Sequence, residues 1–431
     1  MLDIQFIRDN PDLVKEKSRQ KGYDVDIDKL LETDKERRSI LTEIEVLRRQ
    51  RNTATETVSS RPAEEQISAG RELKKKLNLL EKKLEQVNKN YQTLLYQVPN
   101  MPLEDVPIGE TELENKVVKT VGEPINYDFK PKNHWELAQA KDLIDKERAA
   151  KIAGSRFAYI KGPLVELQLA IMQFVVRALG NQEIIEKLIA DNNLSIKGTP
   201  FMPILPPALV RTSAYEASAR LNAEEMTYQL AQDDLWLNAS AEHSLCNMYI
   251  DEVIPEEQLP IRYIGYATSF RREAGTYGKD TEGILRMHQF DKLEMEVFST
   301  PETGLDEHKL LIAIEEYLVS QLELPYHVLL KCTADIGKPN ARGVDIETWL
   351  PGEGKYRETH TADYMTDYQA RRMRTRLRRK DGRIDFVHTN DATAFGIGRI
   401  LAAIIENRQT KDGHIMVPDV LRPLMMDKTE I

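Results

Sequence analysis

An apolar seam in the first quarter of the chain restricts its fold more than any other feature. Leu73, Leu77, Leu80, Leu84, Val87, Tyr91, Leu94 and Val98 are spaced alternately by four and three residues. This spacing returns each side chain to one stripe of a helix, the a/d pattern of a coiled coil. Ile40, Ile44, Leu47, Ala54 and Val58 repeat it less regularly. From about Asp26 to Val98 the chain is charged, nearly free of Gly and Pro, and rich in helix formers. The run Ser59-Ser60-Arg61-Pro62-Ala63-Glu64-Glu65 breaks the pattern with residues of a reversal. Two helices joined by a short loop pair antiparallel, which predicts a hairpin about 40–50 Å long at ~1.5 Å per residue. Heptads report packing and nothing about a ligand, so a dimerisation or spacer coiled coil also satisfies them. Charge adds a hint of another role. Arg48, Arg49, Arg51, Arg61, Arg71, Lys74, Lys75 and Lys76 gather near the loop end of both helices, a surface suited to phosphates.

The 431 residues have room for two or three domains and a substantial core. With 30% charged residues and a net charge of −10, the surface as a whole repels nucleic acid, so any RNA contact must be local. Met1-Leu2-Asp3-Ile4-Gln5-Phe6 has neither the basic start nor the apolar run of a signal peptide, and no run approaches the ~18 apolar residues of a membrane span. A cytoplasmic protein is expected. Cys246 and Cys332 stand far apart without a Cys-x-x-Cys partner, which disfavours a disulfide framework or a zinc–thiolate site and predicts buried thiols. The prolines of Pro99-Asn100-Met101-Pro102-Leu103-Glu104-Asp105-Val106-Pro107 end the heptads as a linker. Beyond them, strand-length apolar runs alternate with helical stretches, predicting an α+β domain on a large mixed or antiparallel sheet. No dinucleotide-binding or P-loop glycine motif occurs, and Gly352-Glu353-Gly354-Lys355 reads as a turn.

Phe270-Arg271-Arg272-Glu273-Ala274-Gly275, Arg286-Met287-His288-Gln289-Phe290 and Lys292-Leu293-Glu294 place arginines, an aromatic ring and carboxylates close together. Such a set suits a nucleoside triphosphate held beside a small zwitterion, although each piece alone also fits surface ion pairs and a core ring. The whole string resembles motif 2 of the class II aminoacyl-tRNA synthetases, in the form found in seryl-tRNA synthetases. The resemblance continues through Met1-Leu2-Asp3-Ile4-Gln5-Phe6-Ile7-Arg8-Asp9-Asn10-Pro11, His134-Trp135-Glu136-Leu137 and Gly154-Ser155-Arg156-Phe157. Pro206-Pro207-Ala208-Leu209-Val210 is similar to motif 1, and Gly398-Arg399 with Glu406-Asn407 to motif 3. Asp345-Ile346-Glu347-Thr348-Trp349-Leu350-Pro351 and Gln369-Ala370-Arg371-Arg372 are further family strings.

This resemblance implies an N-terminal tRNA-binding domain, 1–105, whose hairpin arm (about 26–98) lies against the tRNA, with Arg48, Arg49, Arg51, Arg61, Arg71, Lys74, Lys75 and Lys76 as contacts. It implies a class II catalytic domain, 106–431, built on a mostly antiparallel sheet flanked by helices. The implied reaction is ATP-dependent activation of L-serine and transfer to tRNA(Ser), and to tRNA(Sec) where present, by a homodimer that uses ATP and Mg²⁺ and no zinc. Arg271 and Arg399 carry the implied catalytic roles. Arg271 bridges the α-phosphate and the amino-acid carboxylate, while Arg286 and Arg399 hold the outer phosphates and Arg399 also stacks on adenine opposite Phe290. Arg272, Glu273, Thr359 and His360 complete the implied ATP set, and Glu358 with Thr361 binds Mg²⁺. Ser240, Ala241, Glu242, Glu294, Asp391 and Thr393 are the implied serine contacts alongside Arg271.

Several positions depart from the family pattern. Ser240 stands for threonine, Thr359-His360-Thr361-Ala362-Asp363-Tyr364 for a Ser-Ser-Cys-Ser-Asn stretch, and Asp391 for an asparagine, with Asn390 one place earlier where a local shift would restore the amide. A carboxylate at 391 attracts the substrate ammonium and repels its carboxylate by about 1–4 kcal/mol at contact. The family's Gly-Thr-Gly-Gln-Leu-Pro loop is replaced by Tyr215-Glu216-Ala217-Ser218-Ala219-Arg220. Arg372, Arg374, Arg376 and Arg378 alternate, so one strand would set all four on one face, toward RNA, solvent or an acidic partner. Two other readings stay open: a ligase that loads a carrier protein, and a silent RNA-binding or scaffold paralogue.

Overall fold

The computed structural model describes residues 1–56, 64–219, 227–273 and 282–431. Val58, the Ser59–Ala63 reversal with Arg61, Arg220, Ala274 and Gly275 lie outside the described residues, as does the side chain of Ala54. The chain divides into two compact units, Met1–Met101 and Pro102–Ile431. Among the described residues no single helix is long and apolar enough to cross a membrane.

The first unit holds α1 (Ile4–Asp9), α2 (Pro11–Gln20), α3 (Ile27–Glu56) and α4 (Glu64–Gln97). Asp3 caps α1 by accepting from the Gln5 N–H, and Pro11 opens α2 at a position where its missing N–H costs nothing. Arg8 clamps Asp34 with two parallel 2.8 Å hydrogen bonds, tying α1 to α3. Helices α3 and α4 form the arm. Ile40, Ile44, Leu47, Leu77 and Val87 are buried between them, with Leu73, Leu80 and Leu84 partly covered. The ion pairs Glu36–Lys83 (2.7 Å) and Glu43–Lys76 (2.9 Å) show the antiparallel direction, since the number falls on one helix as it rises on the other. These pairs are half-exposed, so the apolar seam and not the charges holds the arm together.

The second unit is built on an eight-stranded sheet. Its strands in chain order are β1 (Lys116–Val121), β2 (Met202–Ile204), β3 (Ile261–Phe270), β4 (Gln289–Ser299), β5 (Tyr326–Leu330), β6 (Arg342–Leu350), β7 (Lys355–Thr366) and β8 (His388–Gly396). Across the sheet they run β1-β5-β6-β7-β8-β4-β3-β2. Every neighbour pair is antiparallel except β2 with β3. Leu350 and Lys355 close the β6–β7 hairpin around the Gly352-Glu353-Gly354 turn, where Gly354 takes φ +65°. One face carries the core: Leu293, Met295 and Val297 of β4, Val344 and Ile346 of β6, Ala362 of β7 and Ala392 of β8. Helices α5 (Pro163–Leu179), α6 (Gly304–Gln321) and α7 (Ile397–Asn407) contribute Leu167, Ile171, Leu311, Ile314, Ile400 and Ile404 to the same cluster. Both cysteines are buried, and neither is in a disulfide.

The four alternating arginines do not share a strand. Tyr368–Met373 is helical, Arg374 closes it in the left-handed region (φ 58°), and only Arg376–Arg378 is extended. Arg372 donates to the Glu216 carbonyl and Arg374 pairs with Asp251 at 2.5 Å. Arg376 and Arg378 stay exposed on either side of buried Leu377. Burial of Gln369, Ala370 and Met373 on one helical face overrides the alternation of the arginines.

Glu315 on α6 is fully buried, and burial pushes its carboxyl well above the ordinary value. The folded chain therefore keeps a proton that the unfolded chain releases above about pH 4.5, so this group costs stability as pH rises through that window. Glu315→Gln removes the titration while keeping the shape. By thermal unfolding followed with circular dichroism, its melting temperature should match the parent's near pH 4.5 and exceed it at pH 8; a lower value at pH 8 would contradict the assignment.

Candidate active site

On the sheet face opposite the core, alternation brings polar side chains together. Lys292 and Glu294 sit two apart on β4 and so point the same way, away from Leu293 and Met295. Their cross-strand partners are Ala267 and Gly265 on β3, small residues against which Leu245 and Ala241 pack closely. Thr393 of β8 lies opposite Glu294, and Asp391 opposite Glu296. Asp363 of β7 lies opposite Asp391, and Asp345 of β6 opposite Thr361. In antiparallel pairs such partners share a face.

Glu358 and Thr361 are three apart on β7, a separation that puts residues of a regular strand on opposite faces. Between the pairs His360–Ile346 and Glu358–Glu347 the register slips by one residue, so Thr359 is a β-bulge. As a result Glu358, Thr359 and Thr361 all line one cavity of about 410 Å³. Arg271, Glu273, Arg286, Phe290, Lys292, Thr393 and Arg399 line it too. Arg399 arrives on the first turn of α7, which begins where β8 ends. A Cβ at Gly398 would stand 2.6 Å from the Ile284 carbonyl oxygen, so glycine lets that turn close on the segment bearing Arg286. That segment is anchored from behind: His134 bonds Glu406 through Nδ1 (2.7 Å) and accepts from the Ile284 N–H through Nε2 (3.3 Å).

The charges in the cavity are organised in pairs. Arg399 contacts Glu358 at 2.8 Å, Arg286 contacts Glu273 at 3.1 Å, and Lys292 contacts Glu294 at 2.5 Å. Enclosure by protein works against the charge on Glu358, but Arg399 and Lys331 more than offset it and hold its carboxyl below the ordinary value. Arg271 donates from Nε to the Ala239 carbonyl and lies 5.2 Å from the centre of the Phe290 ring. Next to Lys292, Ser240 is fully buried, receives a hydrogen bond from that lysine (3.3 Å), and stands 3.5 Å from Glu294. Ala241 and Glu242 are also buried, and one carboxylate oxygen each from Glu242, Glu294 and Asp391 converges within 4.8 Å. This arrangement can receive an ammonium group at the carboxylates and a polyphosphate at the arginines.

Three sequence expectations change. His360 turns to the core face, its Nδ1 against the Thr359 hydroxyl (2.8 Å) and its ring beside Phe395, so its side chain does not line the cavity. Arg272 is exposed, with its guanidinium 5.8 Å from the Tyr228 ring and outside the cavity lining. Asn390 points to the far side of β8 and donates to the Gly304 carbonyl (3.2 Å), so no slip restores an amide at the Asp391 position. Of the basic residues in the arm, Arg48, Lys75 and Lys76 are engaged with Glu81, Glu72 and Glu43, while Arg49, Arg51, Arg71 and Lys74 are exposed. Arg61 lies outside the described residues. Lys292 is the site residue to which the sequence reading gave no role; its signal was a lysine two places before Glu294 on a strand.

Residues 1–102 match the seryl-tRNA synthetase N-terminal domain, and residues 226–408 match the tRNA synthetase class II core domain (G, H, P, S and T). The chain is 39% identical over 429 residues to the serine–tRNA ligase of Symbiobacterium thermophilum, covering 98% of each sequence. The crystal structure of the Pyrococcus horikoshii seryl-tRNA synthetase complexed with ATP superposes with a TM-score of 0.88 at 34% identity, covering 100% of this chain and 99% of that one. The cytoplasmic serine–tRNA ligase of Naegleria fowleri in complex with AMP gives 0.85 at 26% identity, covering 100% and 98%. With both domains matched and identity sustained along its whole length, the chain belongs to the seryl-tRNA synthetase family.

Proposed function

We propose that the chain activates L-serine with ATP and transfers it to tRNA(Ser). The observation that carries this reading is a single cavity lined by Arg271, Arg286, Arg399, Phe290 and Lys292, where Lys292 in turn contacts the buried Ser240 and Glu294. Arg271, positioned by Ala239, is placed to bridge the α-phosphate and the serine carboxylate, offsetting charge that builds as the carboxylate attacks phosphorus. Arg286 and Arg399 exchange their partners Glu273 and Glu358 for the outer phosphates. The freed Glu273 accepts from the adenine amino group, and Phe290 and Arg399 flank the base. Glu358 and Thr361 offer hard oxygen donors into the cavity, which fits Mg²⁺; when bound, the ion supplies positive charge against the phosphates. Glu242 and Asp391 face the substrate ammonium, and Glu294 with Thr393 the hydroxyl. Catalysis then rests on positioning and electrostatics, with no side-chain nucleophile.

The reaction needs tRNA and a translating compartment, which supports a cytoplasmic location. A homodimer is supported by Met202, Leu205 and Leu209, large apolar side chains exposed at and before the segment similar to motif 1. The arm's exposed Arg49, Arg71 and Lys74 suit tRNA phosphates. A silent paralogue has no reason to keep these paired arginines, and a carrier-protein ligase has no evident use for the arm.

Amino-acid-dependent ATP–pyrophosphate exchange without tRNA tests the activity. Exchange with serine and at most a trace with alanine is expected, because alanine leaves the buried Glu294 without its hydroxyl partner. Preference for another amino acid would overturn the substrate. Asp391→Asn removes a charge that faces the substrate ammonium and should raise KM for serine about five- to tenfold, a modest share of the contact energy; a lowered KM would show that Asp391 acts chiefly by repelling the substrate carboxylate. Replacing Arg49, Arg71 and Lys74 together with alanine should leave exchange intact and weaken tRNA binding at least tenfold at ~0.15 M salt. Filter binding measures this, and unchanged affinity would remove the arm from the tRNA contact.

A further inference from the structure

Thr361 is one of two oxygen donors in that reading, and its environment is unusually constrained. Lys331, just beyond β5, is buried with 9% of its side chain exposed. Its ammonium donates to the Thr361 hydroxyl oxygen at 2.8 Å and lies 3.0 Å from Asp345 Oδ1 and 3.3 Å from Asp363 Oδ1. A hydroxyl has one proton and two lone pairs. With one lone pair occupied by the Lys331 ammonium, a single lone pair is left for another partner, and the Lys331 contact sets its direction.

Space for this arrangement comes from Gly343, whose carbonyl accepts from the Lys331 N–H at 3.0 Å. A Cβ on Gly343 would fall 2.4 Å from Lys331 Cε and 2.8 Å from Asp363 Oδ1. Burial opposes the charge on Lys331, but Asp345 and Asp363 outweigh it and keep the ammonium protonated. Buried ion pairs are poor sources of stability, since apolar side chains of similar size hold a core as well or better. A cost of this kind beside the cavity therefore calls for a role other than packing.

We propose that Lys331 is a positioning residue for the ATP site, turning the one remaining lone pair of Thr361 into the cavity so that it serves Mg²⁺ together with Glu358. The inference rests on the serine-activation reading above and assigns Lys331 a task within it. Lys331 touches neither ATP nor the ion; it acts through the Thr361 oxygen.

Lys331→Met alone strands two buried carboxylates and risks unfolding. The test therefore uses Lys331→Met/Asp363→Asn, which removes one charge of each sign, beside Thr361→Val and the triple combination, all in the full chain. Isothermal titration with a non-hydrolysable ATP analogue, with and without Mg²⁺, reads binding independently of turnover. The gain in affinity that Mg²⁺ confers should shrink about tenfold in the double variant, as expected when a hydrogen bond to a charged group is lost. Affinity without Mg²⁺ should stay unchanged. The triple variant should be no weaker than Thr361→Val, because both changes act through one oxygen. An undiminished Mg²⁺-dependent gain, full additivity with Thr361→Val, or equal loss with and without Mg²⁺ would each overturn the proposal. No gain from Mg²⁺ in the unmodified protein would instead overturn the metal assignment of Glu358 and Thr361, and the task of Lys331 with it.

Discussion

The site depends on the pleat of four adjacent antiparallel strands, β6-β7-β8-β4. Because successive side chains must point to opposite faces, a strand with a core on one side presents every second residue to the other. Met295, Ala362, Ala392 and Ile346 are fully buried in the core, and this fixes where Glu294, Thr361, Asp391 and Asp345 must stand. A slip of one residue in any of these pairings would exchange the two sets. Core packing thereby specifies the polar face without contacting it.

That polar face carries many carboxylates, and the cations among them are placed individually. Lys292 answers Glu294, Arg399 answers Glu358, Arg286 answers Glu273, and Lys331 lies between Asp345 and Asp363. Such pairs resist mutual repulsion before any ligand arrives. They also hold the arginines with their charge already partly desolvated, so a polyphosphate replaces one anion by another and need not strip a full hydration shell.

Much of this was legible in the sequence. The arm could be read because heptads are local: Leu77 and Val87 are core residues for the same reason that their spacing is regular. The cavity could be read through family strings, whose members Arg271, Glu273, Arg286, Phe290, Glu358 and Arg399 do meet. What escaped depends on contacts between distant strands or on backbone irregularity. Nothing near Lys331 in the sequence announces Asp345 or Asp363, since only the pairing of β6 with β7 brings those two side by side. The left-handed turn at Arg374 defeats an inference from alternation, and His360 and Asn390 point away from the cavity because each lies one place off the polar phase of its strand.

The bulge at Thr359 joins two stretches of β7 that are out of phase by one residue, as a frame shift joins two reading frames. Drawing Thr359 into the ladder as an ordinary paired residue would abolish the bulge and improve the local backbone pairing. It would also turn Glu358 away from Thr361, so that a strand more regular by every backbone measure would lose one of its two oxygen donors. The unpaired residue is thus what reconciles an odd separation in sequence with a shared face in space.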